Sequence, residues 1–363
     1  MAAAMGIGRF VYTPILPFMV DGLNLSPSHA GLIASANFLG YLLGALAASF
    51  GALPGAPRTW FLTALLISAI TTGAMGQTDS NLAFMALRFA GGFASAFTLV
   101  FSSALVLERL AASGHPGFSA LHFAGVGCGI SFSAILVSVL GSYGFSWQEL
   151  WYASAIATLV LLAGAALLVP ATKSTAPANL HATRDAKTSG PLNRLIVAYG
   201  LFGFGYVITA TFISVIVKEQ AALQSLESYI WLVVGLAAIP SIYFWNLVAA
   251  HTGSARAFSI GAVAQALGVG LSVSGFGPGF VVLGALLLGG TFMGMTAHGL
   301  VEARRLTNGN PRSILALMTA SFGVGQMVGP WIAGELRHLT GSYTEASLIA
   351  ATALVVAAAL TVR

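Results

Sequence analysis

Gly6-Ile7-Gly8-Arg9-Phe10-Val11-Tyr12-Thr13-Pro14-Ile15-Leu16-Pro17 lies inside the first long apolar stretch of the chain and carries a permanent cation near that stretch's centre. A guanidinium stays protonated at any accessible pH, and placing it in hydrocarbon costs at least ~2.5 kcal/mol on insertion scales. Arg9 therefore belongs in a polar space between helices. Pro14 and Pro17 remove two backbone donors from the same stretch. Such breaks kink a helix, and membranes tolerate them where neighbouring groups re-satisfy the freed carbonyls.

The rest of the 363 residues reads as an all-α polytopic membrane protein. Hydrophobic residues make up 57% and charged residues only 7%, against roughly 25% charged in soluble domains. Mean hydropathy is +0.88. Apolar runs recur at 1–20, 28–50, 59–76, 82–108, 117–140, 148–169, 192–217, 227–249, 257–275, 279–302, 313–334 and 344–362. Runs of about 20 residues at 1.5 Å each cross a bilayer core of ~30 Å. Twelve transmembrane helices are predicted.

Charge placement supports that count. With the N-terminus inside, the cytoplasmic loops and helix ends hold Arg58, Arg109, Lys173, Arg184, Lys187, Arg194, Arg256, Arg304, Arg305, Arg312 and Arg363. The opposite side holds only Lys218 and Arg337, while Arg9 and Arg88 fall inside spans. This is the asymmetry of the positive-inside rule, and it places both termini in the cytoplasm. The net charge of +5 is thus topological, and no nucleic-acid partner is expected. No basic region with a cleavage site precedes the first span, so no secretory signal is expected. The lone Cys128 excludes an internal disulfide.

One connection, Ala171 to Gly190, is long and polar. It predicts an N-terminal six-helix bundle at 1–170, a cytoplasmic linker at 171–190 and a C-terminal six-helix bundle at 191–363. The halves also resemble each other. Gly6-x-Gly8 matches Gly203-x-Gly205 at an offset of 197, and Arg58 matches Arg256 at 198. Gly125-Val126-Gly127 matches Gly323-Val324-Gly325 at 198, and Gly141-Ser142-Tyr143 matches Gly341-Ser342-Tyr343 at 200. Six spans per repeat is even, so the repeats share one orientation and are related by an axis along the membrane normal. Gly40-x3-Gly44, Gly125-x3-Gly129, Gly290-x3-Gly294 and Gly325-x3-Gly329 offer small faces for close helix packing.

Polar side chains inside spans are the candidates for function. Arg9, Asn37 and Arg88 lie roughly 16, 14 and 10 Å from the outer ends of the first, second and fourth spans, at 1.5 Å per residue. Tyr206 is the repeat counterpart of Arg9, Thr209 that of Tyr12, and Gln326 that of Cys128. Arg9, Tyr12, Asn37, Arg88, Tyr206, Thr209 and Gln326 are the candidate substrate-binding residues. No Asp or Glu lies at comparable depth, so the two arginines favour an anionic guest, whose carboxylate or phosphate suits their planar fork. The competing reading makes Arg9 a brace for the carbonyls freed by Pro14 and Pro17. Arg88, His122 and His298 are the candidates for proton coupling, the histidines because they titrate near neutrality. Glu108 and Glu302, beside basic residues at helix ends, read as gate or interfacial salt-bridge formers. Trp231, Tyr41 and Phe322 either line a cavity or pack.

Other chemistries lack their residues. The sequence has no G-x4-G-K-[ST], no H-E-x-x-H, no G-x-S-x-G and no cysteine–histidine cluster. An enzyme, a metal site and a cofactor are not expected.

The whole chain resembles the major facilitator superfamily, specifically its YbfB/YjiJ-like branch. The Gly6–Pro17 string, Ser35-Ala-Asn-Phe-Leu-Gly-Tyr-Leu-Leu-Gly44 and Gly203-Phe-Gly-Tyr-Val-Ile-Thr-Ala-Thr-Phe212 carry the resemblance. Gly8-x5-Pro14-x2-Pro17 is similar to the first-helix motif of proton-linked exporters. Arg88-Phe89 with Gly92 is similar to a fourth-helix motif whose arginine is tied to proton coupling. Gly325-x3-Gly329-Pro330 looks like the antiporter motif but sits in the eleventh span, and Ile130 replaces the proline in the fifth. Gly44-Ala-Leu-Ala-Ala-Ser-Phe-Gly51 lacks the Asp usual between the second and third helices. The resemblance implies two pseudo-symmetric six-helix bundles and a secondary transporter working by rocking alternating access. It points to a monomer in a bacterial cytoplasmic (inner) membrane, moving a small organic solute with protons as the coupling ion. Efflux is the first reading, uptake by symport the second, and a non-transporting membrane sensor the third.

Overall fold

The computed structural model describes residues 1–49, 53–114, 118–169, 189–307 and 311–362. These form helices and turns, with no strand among the described residues. The expected linker at 171–190 lies outside them except for Ser189 and Gly190, which cap and begin the seventh span.

The first stretch folds in two pieces, a π-helix over Ala2–Arg9 and helix α1 over Tyr12–Leu23. In π register the Arg9 carbonyl takes its hydrogen bond from residue 14, and Pro14 has no N–H to give. The junction is therefore short of donors. The first bundle continues with α2 (Pro27–Ser49), α3 (Pro57–Ala74), α4 (Asn81–Ala112), α5 (Ser119–Ser142) and α6 (Trp147–Leu168).

The second bundle opens with α7 (Gly190–Glu219), a helix of 30 residues with no internal break. The eighth span, expected as one helix at 227–249, is two: α8 (Glu227–Ala238) and α9 (Ser241–Thr252). Pro240 divides them because its ring cannot donate to the helical ladder. Then follow α10 (Ser254–Ser272), α11 (Pro278–Arg305), α12 (Pro311–Thr340) and α13 (Thr344–Thr361). Thirteen α-helices, with the π-helix completing the first span, thus make twelve spans among the described residues. Eleven segments are apolar and long enough to cross a membrane. The remaining one, α10, has 19 residues, about 28 Å at 1.5 Å each, and carries Arg256 and Gln265.

The repeat read from glycine spacing is visible in the packing. α2 packs on α12 and α5 packs on α8. The second and eighth spans are repeat mates, as are the fifth and eleventh, so these two interfaces are images of one another. Gly127 and Gly235 set the α5–α8 distance: a methyl on Gly127 would lie 2.7 Å from Ile239 N, and one on Gly235 2.5 Å from Ser131 Oγ. Only glycine fits at either place.

Along the axis itself, residues of α1 meet their own repeat mates on α7. Thr13 donates to the Ala210 carbonyl at 2.7 Å, 197 positions further along the chain. Asp21 and Lys218, again 197 apart, form an ion pair at the end expected to face outward. Lys218 Nζ also donates to the Pro17 carbonyl at 3.2 Å. Arg9, Thr13, Pro17 and Asp21 fall four apart on one face, as do Tyr206, Ala210, Ser214 and Lys218 on the other. The two stripes close the outer half of the bundle interface.

Candidate substrate site at the bundle interface

The site begins where the first helix breaks. Arg88 on α4 places Nη1 3.0 Å from the Gly8 carbonyl and Nη2 2.8 Å from the Arg9 carbonyl. It supplies the donors that the π-helix junction lacks, as expected of buried backbone acceptors. The brace foreseen for the freed carbonyls exists, and Arg88 provides it. Its guanidinium also lies over the Tyr12 ring, 5.1 Å from the centroid.

Arg9 is thereby released from backbone duty and turns to the other bundle. Its Nη2 donates to Gln326 Oε1 on α12 at 2.9 Å, and Nε has no partner. Gln326 Nε2 in turn donates to the Tyr206 hydroxyl on α7. Arg9 and its repeat mate Tyr206 therefore meet over one amide. Because arginine only donates, the amide oxygen must face Arg9, its nitrogen must face Tyr206, and the phenol oxygen must accept. All three side chains are buried.

Aromatic rings surround this chain. On the first bundle's side, the Arg9 guanidinium lies 3.9 Å from the Tyr41 centroid, 4.9 Å from Phe38 and 5.4 Å from Phe10. Guanidinium over a ring face is favourable electrostatically, more so when water is excluded. On the second bundle's side, Tyr206 lies nearly parallel to Phe292 (5.7 Å, 9°) and to Phe322 (5.8 Å, 10°). Trp231 and Phe292 each approach Phe10 across the interface, at 6.3 and 6.2 Å. The polar space expected around Arg9 is thus a cage walled by rings, and Arg9 itself is 4% exposed.

The remaining candidates divide. Asn37 donates to the Arg88 carbonyl at 2.8 Å and joins α2 to α4, and Tyr12 donates to the Ala30 carbonyl at 2.9 Å. Both spend their donors on backbone. Thr209 is fully buried with no partner for its hydroxyl. His122 Nε2 lies 3.4 Å from Ser103 Oγ and His298 Nδ1 3.4 Å from Ser254 Oγ. Neither histidine hydrogen-bonds to Arg9, Gln326 or Tyr206 among the described residues. Glu302 pairs with Arg305 one turn on within α11, at 2.8 Å. Tyr41, Phe322 and Trp231 are cage walls. Phe10 and Phe38 stand inside quoted strings but carry no signal separating them from packing residues, and Phe292 has no signal at all.

A family model described as "Uncharacterised MFS-type transporter YbfB" matches residues 1–362. Among solved structures, the chain is similar to a mutant form of the nucleoside transporter NupG. That match has a TM-score of 0.77 and 18% identity, covering 99% of this chain and 98% of that one. A second NupG structure matches with a TM-score of 0.70 and 17% identity, over the same shares. At this identity the likeness is one of fold. No curated protein matches the chain in a sequence comparison. The twelve spans, the pseudo-twofold axis and the family match agree: the chain belongs to the YbfB family of MFS-type transporters and is a multi-pass membrane protein with the fold of a secondary transporter.

Proposed function

We propose that the protein moves a small organic anion across a bacterial cytoplasmic membrane by alternating access, with protons as the coupling ion and efflux as the direction. The observation that carries the anion is Arg9. It is a buried permanent cation at the meeting of two bundles, and among the described residues a neutral amide is the acceptor of its side-chain hydrogen bond. No carboxylate forms an ion pair with it among the described residues. An unpaired charge in a low-dielectric site is costly, and an anionic guest offsets that cost.

Alternating access is supported by the axis. The seal on one side runs through repeat-mate contacts between α1 and α7, which rocking of one bundle against the other breaks together. Breaks at Pro14 and Pro240 lie in spans one and eight, one in each half. His122 and His298 lie within spans five and ten, one in each half, and stay as coupling candidates. Arg88 is assigned to bracing the first helix rather than to cargo or protons.

Flux in proteoliposomes tests this reading. Loaded organic anion is expected to leave faster when the outside is acidified, and Arg9→Ala is expected to abolish the flux while the protein stays folded. Entry of external cargo under the same gradient would make it a symporter. Binding without flux would make it a sensor, and stabilisation by organic cations alone would overturn the anionic cargo.

A further inference from the structure

We infer that the cargo is a planar aromatic carboxylate, whose carboxylate replaces the Gln326 amide at Arg9 and whose ring lies between the two aromatic walls. The inference rests on the organic-anion reading above and narrows it.

The first observation is a half-filled edge. The Nε and Nη2 hydrogens of an arginine point the same way and suit the two oxygens of one carboxylate. Among the described residues the protein makes that contact twice elsewhere. Arg305 places Nε and Nη2 each 2.8 Å from the two oxygens of Glu302, and Arg337 places them 3.3 and 2.9 Å from those of Glu219. At Arg9 the same edge holds one amide oxygen on Nη2 and nothing on Nε. Gln326 can offer a single oxygen, and a carboxylate offers two. The amide is a weaker occupant of a carboxylate's place.

The second observation is what else is left over. Among the described residues that touch Arg9 or wall it with rings, Arg9 Nε and Trp231 Nε1 are buried without a partner, and both are donors. Buried polar groups without partners are rare enough to need a cause. A guest rich in acceptors satisfies them. Polyhydroxylated or basic cargo brings donors, and the cage offers no Asp or Glu to receive them.

The third observation is the flatness of the walls. Tyr206, Phe292 and Phe322 stack within 10° of parallel, and Tyr41 presents its face to the guanidinium. Ring faces accept a flat ring by offset stacking and gain less from a puckered one. Separating the bundles breaks the Gln326 bridge and parts these walls, leaving a cation at one side and a stack of rings at the other.

Binding to the full-length protein in nanodiscs decides it, read as Kd for benzoate, cyclohexanecarboxylate, benzamide and benzylamine. Benzoate is expected to bind at least about tenfold more tightly than cyclohexanecarboxylate, with no binding of benzamide or benzylamine. Phe292→Leu with Phe322→Leu is expected to erase that ratio while both acids still bind. Gln326→Ala is expected to tighten benzoate severalfold by removing the competitor. Equal affinity for the two acids overturns the aromatic class and leaves the anion reading standing. Preference for benzamide or benzylamine overturns both. The wild-type ratio stands alone as the test if a variant fails to fold.

Discussion

Helices 1 and 7 occupy equivalent places in the two repeats, yet one is broken and the other runs 30 residues without interruption. Where the first has Gly8-Arg9-Phe10 and then Pro14, the second has Gly205-Tyr206-Val207 and then Thr211. The proline leaves carbonyls short of donors, so a second arginine is needed to hold them, and the first is freed for another partner. The unbroken helix needs no such help and presents a neutral phenol. Duplication thus supplied two similar scaffolds, and one proline divided their labour: a charged, braced half-helix faces a rigid aromatic platform.

The largest test of that contrast separates the two arginines. Arg88→Met strips two carbonyls of charged donors, and at about 1.5–3 kcal/mol per such bond a loss of about 3 kcal/mol or more is expected. Thermal unfolding in detergent reads it. Arg9→Ala in the same assay is expected to lose less than about 1 kcal/mol, because it removes one bond and relieves an unpaired charge. Equal destabilisation by both would make both braces and would dissolve the distinction. A second variant sharpens it. Pro14→Ala returns the N–H that the Arg9 carbonyl lacks, so adding it to Arg88→Met is expected to restore about 1 kcal/mol. A double-mutant cycle measures that coupling, and strict additivity would refute it.

How much of this was legible in the sequence follows from the kind of signal each part leaves. Spans and the internal repeat come from hydropathy, charge asymmetry and glycine spacing, all of which are one-dimensional. They appear in the structure with the eighth span divided at Pro240. Arg9, Tyr206 and Gln326 stood out as polar residues at depth, and they do meet. The backbone partners of Arg88, Asn37 and Tyr12 were not legible there. Depth cannot say which way a side chain turns, and all three turn to backbone carbonyls. The walls were least visible, because phenylalanine in a span of an apolar chain looks the same on a lipid face and in a cage. The pair Asp21–Lys218 could have been found: the offset of 197 that aligns Gly6 with Gly203 also aligns these opposite charges.

On the platform side the expected effect is smaller. Tyr206→Phe keeps the stack on Phe292 and Phe322 and removes only the hydroxyl that receives Gln326 Nε2. One neutral hydrogen bond is worth about 1 kcal/mol, so loosening the amide that competes for Arg9 is expected to tighten an anionic guest by up to about fivefold. Titration calorimetry of the variant checks it. A loss as large as that of Arg9→Ala would mean that the phenol, and not the guanidinium, carries recognition.

The smallest effect belongs to the outer end, where the two helices meet through the ion pair of Asp21 and Lys218. The Asp21 side chain is 64% exposed, so solvent screens the pair, and exposed pairs contribute about 0.2–1 kcal/mol. That is enough to shift a two-state balance up to about fivefold. Asp21→Asn is expected to open the outer seam by that factor. The readout is labelling by a membrane-impermeant maleimide of Ser214→Cys, a buried position between Ala210 and Lys218 on the facing stripe of α7. The background must be Cys128→Ser, because the native cysteine is exposed. Raising salt should mimic Asp21→Asn in the parent and do little in the variant. Exchanging the charges, Asp21→Lys with Lys218→Asp, in a Glu227→Gln background should restore slow labelling, since Glu227 lies 3.9 Å from Lys218 and would repel an aspartate there. Failure of the exchange, with each single variant labelling quickly, would show that the Lys218 bond to the Pro17 carbonyl holds the seam, and the break in helix 1 would then govern the outer end as well as the site.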